Sequence, residues 1–439
     1  MTSIIPESAD ALETVIRKEV HDRSVFRLRA CTDQFLTDFS SNDFLSLAKD
    51  EDLGRRFLER LTSMNGAFMG ASGSRLLVPA PHHIALERRI TKMWEVHAGL
   101  DGTGRARLDA LFFPSGYTAN IGFWSTLPQD GDLVLCDAQI HASVHDGLRL
   151  GRVGRGQAFS KTFRHNDLDD LRRVLQEDAD AVRTGKMRDH AVFVGVETLY
   201  SMEGDCTNLS AVLESVRPFG KRVKVVVDEA HALGVFRLGL SMPPYVTPEE
   251  ASRVFARTIT FGKGPGVAGA AMVVPDYVKP YLVATARSFI FSTAPTVFSV
   301  IAVDCALDTL EDGSAAALAE KLQGNIRALL RLLHIQLTGI PMRLARVPIP
   351  APGLQDAAER SPVVPILTPY GESHAFGLEN HLRVKYRLVA HAVPYPAVQR
   401  GGERVRLCVT AGHSNEQLTA LANGVGEWAR MQLAMDAKL

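Results

Sequence analysis

Val223-Lys224-Val225-Val226-Val227-Asp228-Glu229-Ala230-His231 decides the fold. Four valines crowd positions 223–227, and the run then stops at a carboxylate. Side chains branched at Cβ suit an extended backbone. A run apolar on both faces belongs to a strand covered on both sides, as in parallel sheets flanked by helices. Working outward, similar short runs stand at Leu133–Asp137, Ala191–Glu197, Thr258–Phe261 and Ala271–Pro275. Helical patterns lie between them, at Leu168–Gln176 and Leu209–Phe219. This alternation predicts an α/β fold built on a mainly parallel sheet. In such sheets ligands sit outside the carboxyl ends of the strands, where Glu197, Asp228 and Lys263 fall.

After Pro295 the pattern changes. Residues 297–340 read as long helices, the Pro-rich stretch Val347–Pro352 breaks them, and strand candidates follow at Val363–Leu367 and Val405–Val409. Three parts are expected: an N-terminal segment 1–55 packing with the small domain, a large domain 56–300, and a smaller α/β domain 301–439.

Composition narrows the function classes. The chain has 439 residues, 46% hydrophobic, and its 49 basic and 49 acidic residues balance to zero. That excludes intrinsic disorder and supplies no electrostatic reason to bind nucleic acid or an anionic membrane. Five scattered cysteines with no CxxC pair argue against a disulfide framework or a cysteine zinc site and fit a reducing compartment. No apolar run of about 18 residues suggests a membrane span, and the N-terminus lacks the features of a secretory or transit leader. The terminal Ala437-Lys438-Leu439 resembles a peroxisomal address; an intracellular, soluble protein is expected, peroxisomal if that tail is read and cytoplasmic otherwise.

Two apparent motifs fail on inspection. Gly262-Lys263-Gly264-Pro265-Gly266 lacks the first glycine and the Ser/Thr of a phosphate loop. His141 and His145 have metal-ligand spacing but no Glu after the first His, so no metal site is expected. What remains is a constellation: Lys263 at a strand end, Asp228 and His231 at the preceding one, His141 as a ring to stack, and Ser115-Gly116-Tyr117-Thr118 opening a helix whose amides can face a phosphate. Pyridoxal phosphate requires such a lysine and an acid at its ring nitrogen.

The chain resembles the α-oxoamine synthases, fold type I pyridoxal-phosphate enzymes that include 8-amino-7-oxononanoate synthase and serine palmitoyltransferase. Nine segments across residues 38–412 match in the family's order: Asp38–Leu45, Gly70–Arg75, Phe113–Asn120, Ile140–Ser143, Ser201–Asp205, Val227–His231, Thr260–Gly264, Phe291–Thr293 and Glu403–Arg406. The resemblance implies a large domain with a mainly parallel sheet and a smaller C-terminal α/β domain. It implies that Lys263 holds the cofactor covalently and later removes the α-proton, that Asp228 faces the pyridine nitrogen, and that His231 and Ser201 lie near the phenolic oxygen. His141 would stack on the ring. Ser115, Gly116, Tyr117 and Thr260 would hold the phosphate, with Ser292 and Thr293 supplied by a second subunit of a homodimer. Asn42 and Arg404 would bind the amino-acid carboxylate. Ser46, Pro79-Ala80 and Pro265 depart from the family's usual residues, which puts the acyl specificity in question more than the chemistry.

The resemblance leans toward 8-amino-7-oxononanoate synthase: decarboxylative condensation of a small amino acid, L-alanine in biotin synthesis, with an acyl thioester such as pimeloyl-CoA. Two alternatives stay open. One is a relative in secondary metabolism using another amino acid or a carrier-protein-bound acyl chain. The other, of a different class, is a non-catalytic partner subunit.

Overall fold

The structure of the chain, a computed structural model, describes residues 12–13, 15–16, 36–64, 72–78, 80–100, 107–236, 246–350, 353, 358–369 and 371–437. Gly70, Ala71, Pro79, Lys438 and Leu439, singled out from the sequence, lie outside the described residues, as does most of segment 1–55.

Among the described residues there are twelve strands: β1 (Thr37–Asp38), β2 (Leu108–Phe113), β3 (Leu133–Asp137), β4 (Phe159–Phe163), β5 (Val192–Glu197), β6 (Val223–Asp228), β7 (Ala256–Thr260), β8 (Ala270–Pro275), β9 (Val363–Leu367), β10 (Leu388–Val389), β11 (His391–Val393) and β12 (Arg404–Cys408). The central sheet has seven strands in the order β2-β8-β7-β6-β5-β3-β4. Only β8 runs against its neighbours; the other six are mutually parallel. The valine run of β6 sits inside this sheet, and β5 beside it is buried along its whole length.

Two strands of the central sheet escaped the sequence reading, as did the short strands β1, β10 and β11. β4, Phe-Ser-Lys-Thr-Phe, is an edge strand exposed over four of its five residues, so it carries no hydrophobic run. β2 lies at the opposite edge and pairs with β8. The helix expected at Leu209–Phe219 is α-helical only to Val216 and tightens to a 3₁₀ stretch at Arg217–Arg222. Pro218 explains this, since its ring and missing N–H cannot continue an α-helix. The helix beginning at Leu168 runs on to Arg183; Asp167 caps its first turn, acids occupy that turn and Arg183 its last.

A second sheet, β11-β12-β9, is antiparallel, and β1 pairs with β10. It is covered by the long helices Ser314–Gln336 and Asn415–Asp436, which share a buried core through Leu322, Leu329, Leu333, Leu418, Leu421 and Val425. Phe39, Phe44 and Leu45 enter the same core beside Val235, Phe236 and Leu407. The stretch 38–45 is thereby wedged between the two sheets, which carries Asn42 to β12. Ser46 adopts a left-handed backbone (φ 61°), the conformation in which glycine is usual; its hydroxyl accepts from the Gly412 N–H at 2.9 Å. Among the described residues, no helix is long and apolar enough to cross a membrane.

Candidate active site

Because six strands point the same way, their carboxyl ends lie along one edge of the sheet. β2 leads to Ser115, β3 to His141, β5 to Ser201, β6 to Asp228 and His231, and β7 to Thr260 and Lys263. Residues spread over about 150 positions are gathered by topology alone.

Lys263 stands in the turn after β7. Gly264 permits that turn, since a Cβ there would strike the carbonyl oxygen of Leu233. The Lys263 Nζ lies 2.7 Å from His231 Nε2. Burial of the amine pulls its pKa down to about 8 against the opposing pull of Asp228 and Glu197, and Arg406 lowers it further. His231 is held well below the usual histidine range, first by burial and then by Lys263, Arg406 and His141. With Nε2 engaged by the amine, the other ring nitrogen, Nδ1, is buried without a partner among the described residues.

Asp228 is buried. Its Oδ2 accepts from Asn120 Nδ2 at 2.7 Å and its Oδ1 from the Ala230 N–H at 3.0 Å. The Asn120 amide also meets Ser143, whose hydroxyl lies 2.7 Å from His141 Nδ1. His141 itself is exposed, and desolvation keeps it below the usual histidine value despite the pull of Asp228. Glu197 ends β5 in register with Asp228. Burial, followed by the charge of Asp228, pushes Glu197 well above the usual carboxylate range.

The helix Gly116–Trp124 opens on a reciprocal Ser115–Thr118 capping box. A Cβ on Gly116 would collide with the Thr260 hydroxyl, and that hydroxyl is buried with no partner among the described residues. Tyr117 is exposed at the same helix start and donates to Asp146 at 2.6 Å.

The pair expected from the sequence for the amino-acid carboxylate is Asn42 with Arg404, and the structure does not bring the two together. Arg404 Nη1 donates to Met202 O at 2.7 Å and meets Glu203 at 3.1 Å, while its Nε is bonded to Gly402 O. Arg406, two residues on along the same face of β12, lies beside Asn42 instead. Its Nη2 donates to Asn42 Oδ1 at 2.9 Å and its Nε to Ser201 O at 2.6 Å. Ser201 is thus brought in by its carbonyl. Ser292 and Thr293 are not joined to this cluster; Ser292 Oγ is bonded only to Thr293 O, among the described residues. Sequence reasoning assigned no role to Asn120, Ser143, Glu197 or Arg406. The alternation of β12 marks Arg404 and Arg406 as equivalent, and only the pairing of the sheets separates them.

Pyridoxal phosphate fits these residues. A helix N-terminus and the unpartnered Thr260 hydroxyl suit a phosphate. The unpartnered His231 Nδ1 suits a ring substituent that accepts hydrogen bonds. A buried carboxylate suits a protonated ring nitrogen, and a lysine with a lowered pKa suits covalent capture of an aldehyde.

The family model of class I and II aminotransferases matches residues 36–425. The 8-amino-7-oxononanoate synthase of Emericella nidulans is 30% identical over 443 residues, covering 98% of each chain. The chain belongs to the α-oxoamine synthases. An aminoacyl transferase of Aspergillus fumigatus is 28% identical over 411 residues, 91% of this chain and 82% of that protein. The solved serine palmitoyltransferase of Sphingomonas wittichii shares the fold, with a TM-score of 0.72 at 22% identity over 97% of this chain and 98% of that one. As an α-oxoamine synthase the protein is a pyridoxal-phosphate transferase of fold type I, and its decarboxylative condensation chemistry is that of the family.

Proposed function

We propose that this α-oxoamine synthase joins L-alanine to an acyl-CoA, with pimeloyl-CoA the first thioester to test, releasing CoA and carbon dioxide and leaving an α-amino ketone. The carboxylate leaves as carbon dioxide, the α-carbon loses one proton before the new carbon–carbon bond forms and regains one after carbon dioxide departs, the thiolate takes a proton from solvent, and the new carbon–carbon bond replaces the C–S bond of the thioester. The observation that carries this reading is the bond between Arg406 and Asn42 near Lys263, whose amine feels the charges of both Arg406 and Asp228. A planar guanidinium suits the carboxylate that must later depart, and a buried amine of lowered pKa suits the proton that must be removed.

In this reading Asp228 holds a proton on the ring nitrogen and Lys263 takes the α-proton. His141 covers the ring, and His231 with Ser201 flanks the phenolic oxygen. Ser115, Gly116, Tyr117 and Thr260 bind the phosphate. Arg406 with Asn42, rather than Arg404, orients the amino acid. When bound, the cofactor supplies an electron sink for the carbanion. A homodimer completes the site, with Ser292 and Thr293 of each copy reaching the phosphate of the other.

The test is a thiol-release assay of the loaded protein with alanine, glycine and serine against CoA thioesters of graded length. Release is expected with alanine and to depend on chain length. Formation of a keto acid without thiol release overturns the reading. Lys263→Ala is expected to abolish both turnover and the visible absorbance of the lysine-bound cofactor.

A further inference from the structure

We propose that Asn120 and Ser143 are positioning residues that lock Asp228 and His141 into one unit, so that the carboxylate at the ring nitrogen and the imidazole on the ring face are set together. The inference rests on the cofactor roles proposed above for Asp228 and His141.

Hydrogen-bond bookkeeping gives the unit its direction. Asn120 is 2% exposed, and Ser143 and Thr258 are equally buried. Thr258 Oγ1 donates to Asn120 Oδ1 at 2.6 Å, so the amide nitrogen must face the other way. Its two hydrogens go to Asp228 Oδ2 at 2.7 Å and Ser143 Oγ at 2.9 Å. The Ser143 hydroxyl accepts from Asn120, which leaves its single hydrogen for His141 Nδ1 at 2.7 Å. His141 Nδ1 also receives the Ser143 backbone N–H at 3.2 Å. A nitrogen accepting two hydrogen bonds carries no proton, so the imidazole is neutral with its hydrogen on Nε2. Desolvation, which keeps His141 below the usual histidine value, favours the same neutral ring. The backbone N–H of His141 donates to the Glu197 carboxyl group, tying the same loop to β5.

Four elements meet in the unit: the helix Gly116–Trp124, the start of the helix Ala142–Leu150, β6 and β7. Every polar group of the Asn120 amide is used. Buried networks of this kind hold one geometry when complete and lose it when a member is removed. Packing alone would not demand a donor–acceptor order running from Thr258 through to His141.

The test begins without cofactor. In the cofactor-free chain labelled with [15N]histidine, the His141 signal, assigned by its loss in His141→Asn, is expected to show the Nε2–H tautomer. Ser143→Ala is expected to release it to a tautomer mixture, and Ser143→Thr, which keeps the hydroxyl, to restore it. In the loaded enzyme, Asn120→Asp is expected to shift the pH midpoint of the visible absorbance by half a unit or more and to lower kcat by about tenfold or more, with the KM for the amino acid nearly constant. If Asn120→Asp fails to fold, Thr258→Val cuts the same unit from the other side, with the same expectation. An unchanged tautomer in Ser143→Ala, no restoration in Ser143→Thr, or an unmoved midpoint overturns the proposal. Failure of the proposed reaction would show instead as missing thiol release by the unsubstituted enzyme, leaving the tautomer measurement intact.

Discussion

Two arginines two residues apart on one strand have different partners, and substitution separates the role proposed for Arg406 from that of Arg404. A charge-assisted hydrogen bond contributes roughly 1.5–3 kcal/mol, so Arg406→Ala is expected to raise the KM for the amino acid by about 10- to 150-fold. Arg404→Ala is expected to leave that KM within about threefold and to lower the melting temperature instead, because it strips Glu203 and the Met202 carbonyl of their partner. Steady-state kinetics beside thermal melts checks both. Lys263 gives a pH prediction. Its amine must be neutral to attack an aldehyde, and its pKa is about 8 rather than the usual 10.5. The rate of pyridoxal-phosphate capture by the cofactor-free chain should therefore rise with pH to a midpoint near 8. A stopped-flow midpoint above pH 10 would mean that the amine is solvated.

At the scale of elements, the loop after β5 that brings Ser201 to Arg406 is clipped to the sheet by one imidazole. His165 Nδ1 lies 2.8 Å from Asp137 and its Nε2 2.9 Å from Asp205. Asn166 reinforces the clip, donating its N–H to Asp137 and its side-chain amide to Asp205. Burial alone would lower the His165 pKa, but the two carboxylates together raise it to about 10. A folded-state pKa above the unfolded value of 6.5 means stabilisation fully present below pH 6.5 and lost as pH rises through 10. With His165 partly exposed, about 1–2 kcal/mol is the scale to expect after solvent screening. Unfolding by urea at pH 6 and pH 10 should show this loss in the unsubstituted chain and a smaller one in His165→Asn. Equal losses would show that the clip carries no charge.

At the scale of the molecule, the proposed homodimer makes a prediction that a single-chain site does not. Lys263→Ala and the double variant Ser292→Ala, Thr293→Ala are each expected to be impaired. If Ser292 and Thr293 serve the neighbouring copy, a mixed dimer holds one site with both defects and one with neither. Random exchange of subunits should then restore about a quarter of full activity. Co-expression followed by the thiol-release assay checks this, and no recovery means that each copy uses its own residues.

The local chemistry was legible in the sequence. β-branched runs ending at Asp228 and Phe261 predicted a buried parallel sheet, and a lysine and a carboxylate at strand ends with Ser115-Gly116-Tyr117-Thr118 opening a helix predicted a phosphate-bearing pyridine cofactor. Those features are local because backbone preference, capping and burial on both faces are written in neighbouring residues. Edge strand β4 was not legible, since an exposed strand needs no apolar run. Nor were the roles of Asn120 and Ser143 legible, because both look like ordinary helix residues until the strands set them beside Asp228 and His141. The choice of Arg406 over Arg404 is the clearest case. Sequence alone determined that β12 presents an arginine pair on one face. Only the tertiary structure decided which one meets Asn42, because that depends on how the 38–45 stretch packs against β12, and Asn42 and Arg406 stand 364 residues apart along the chain.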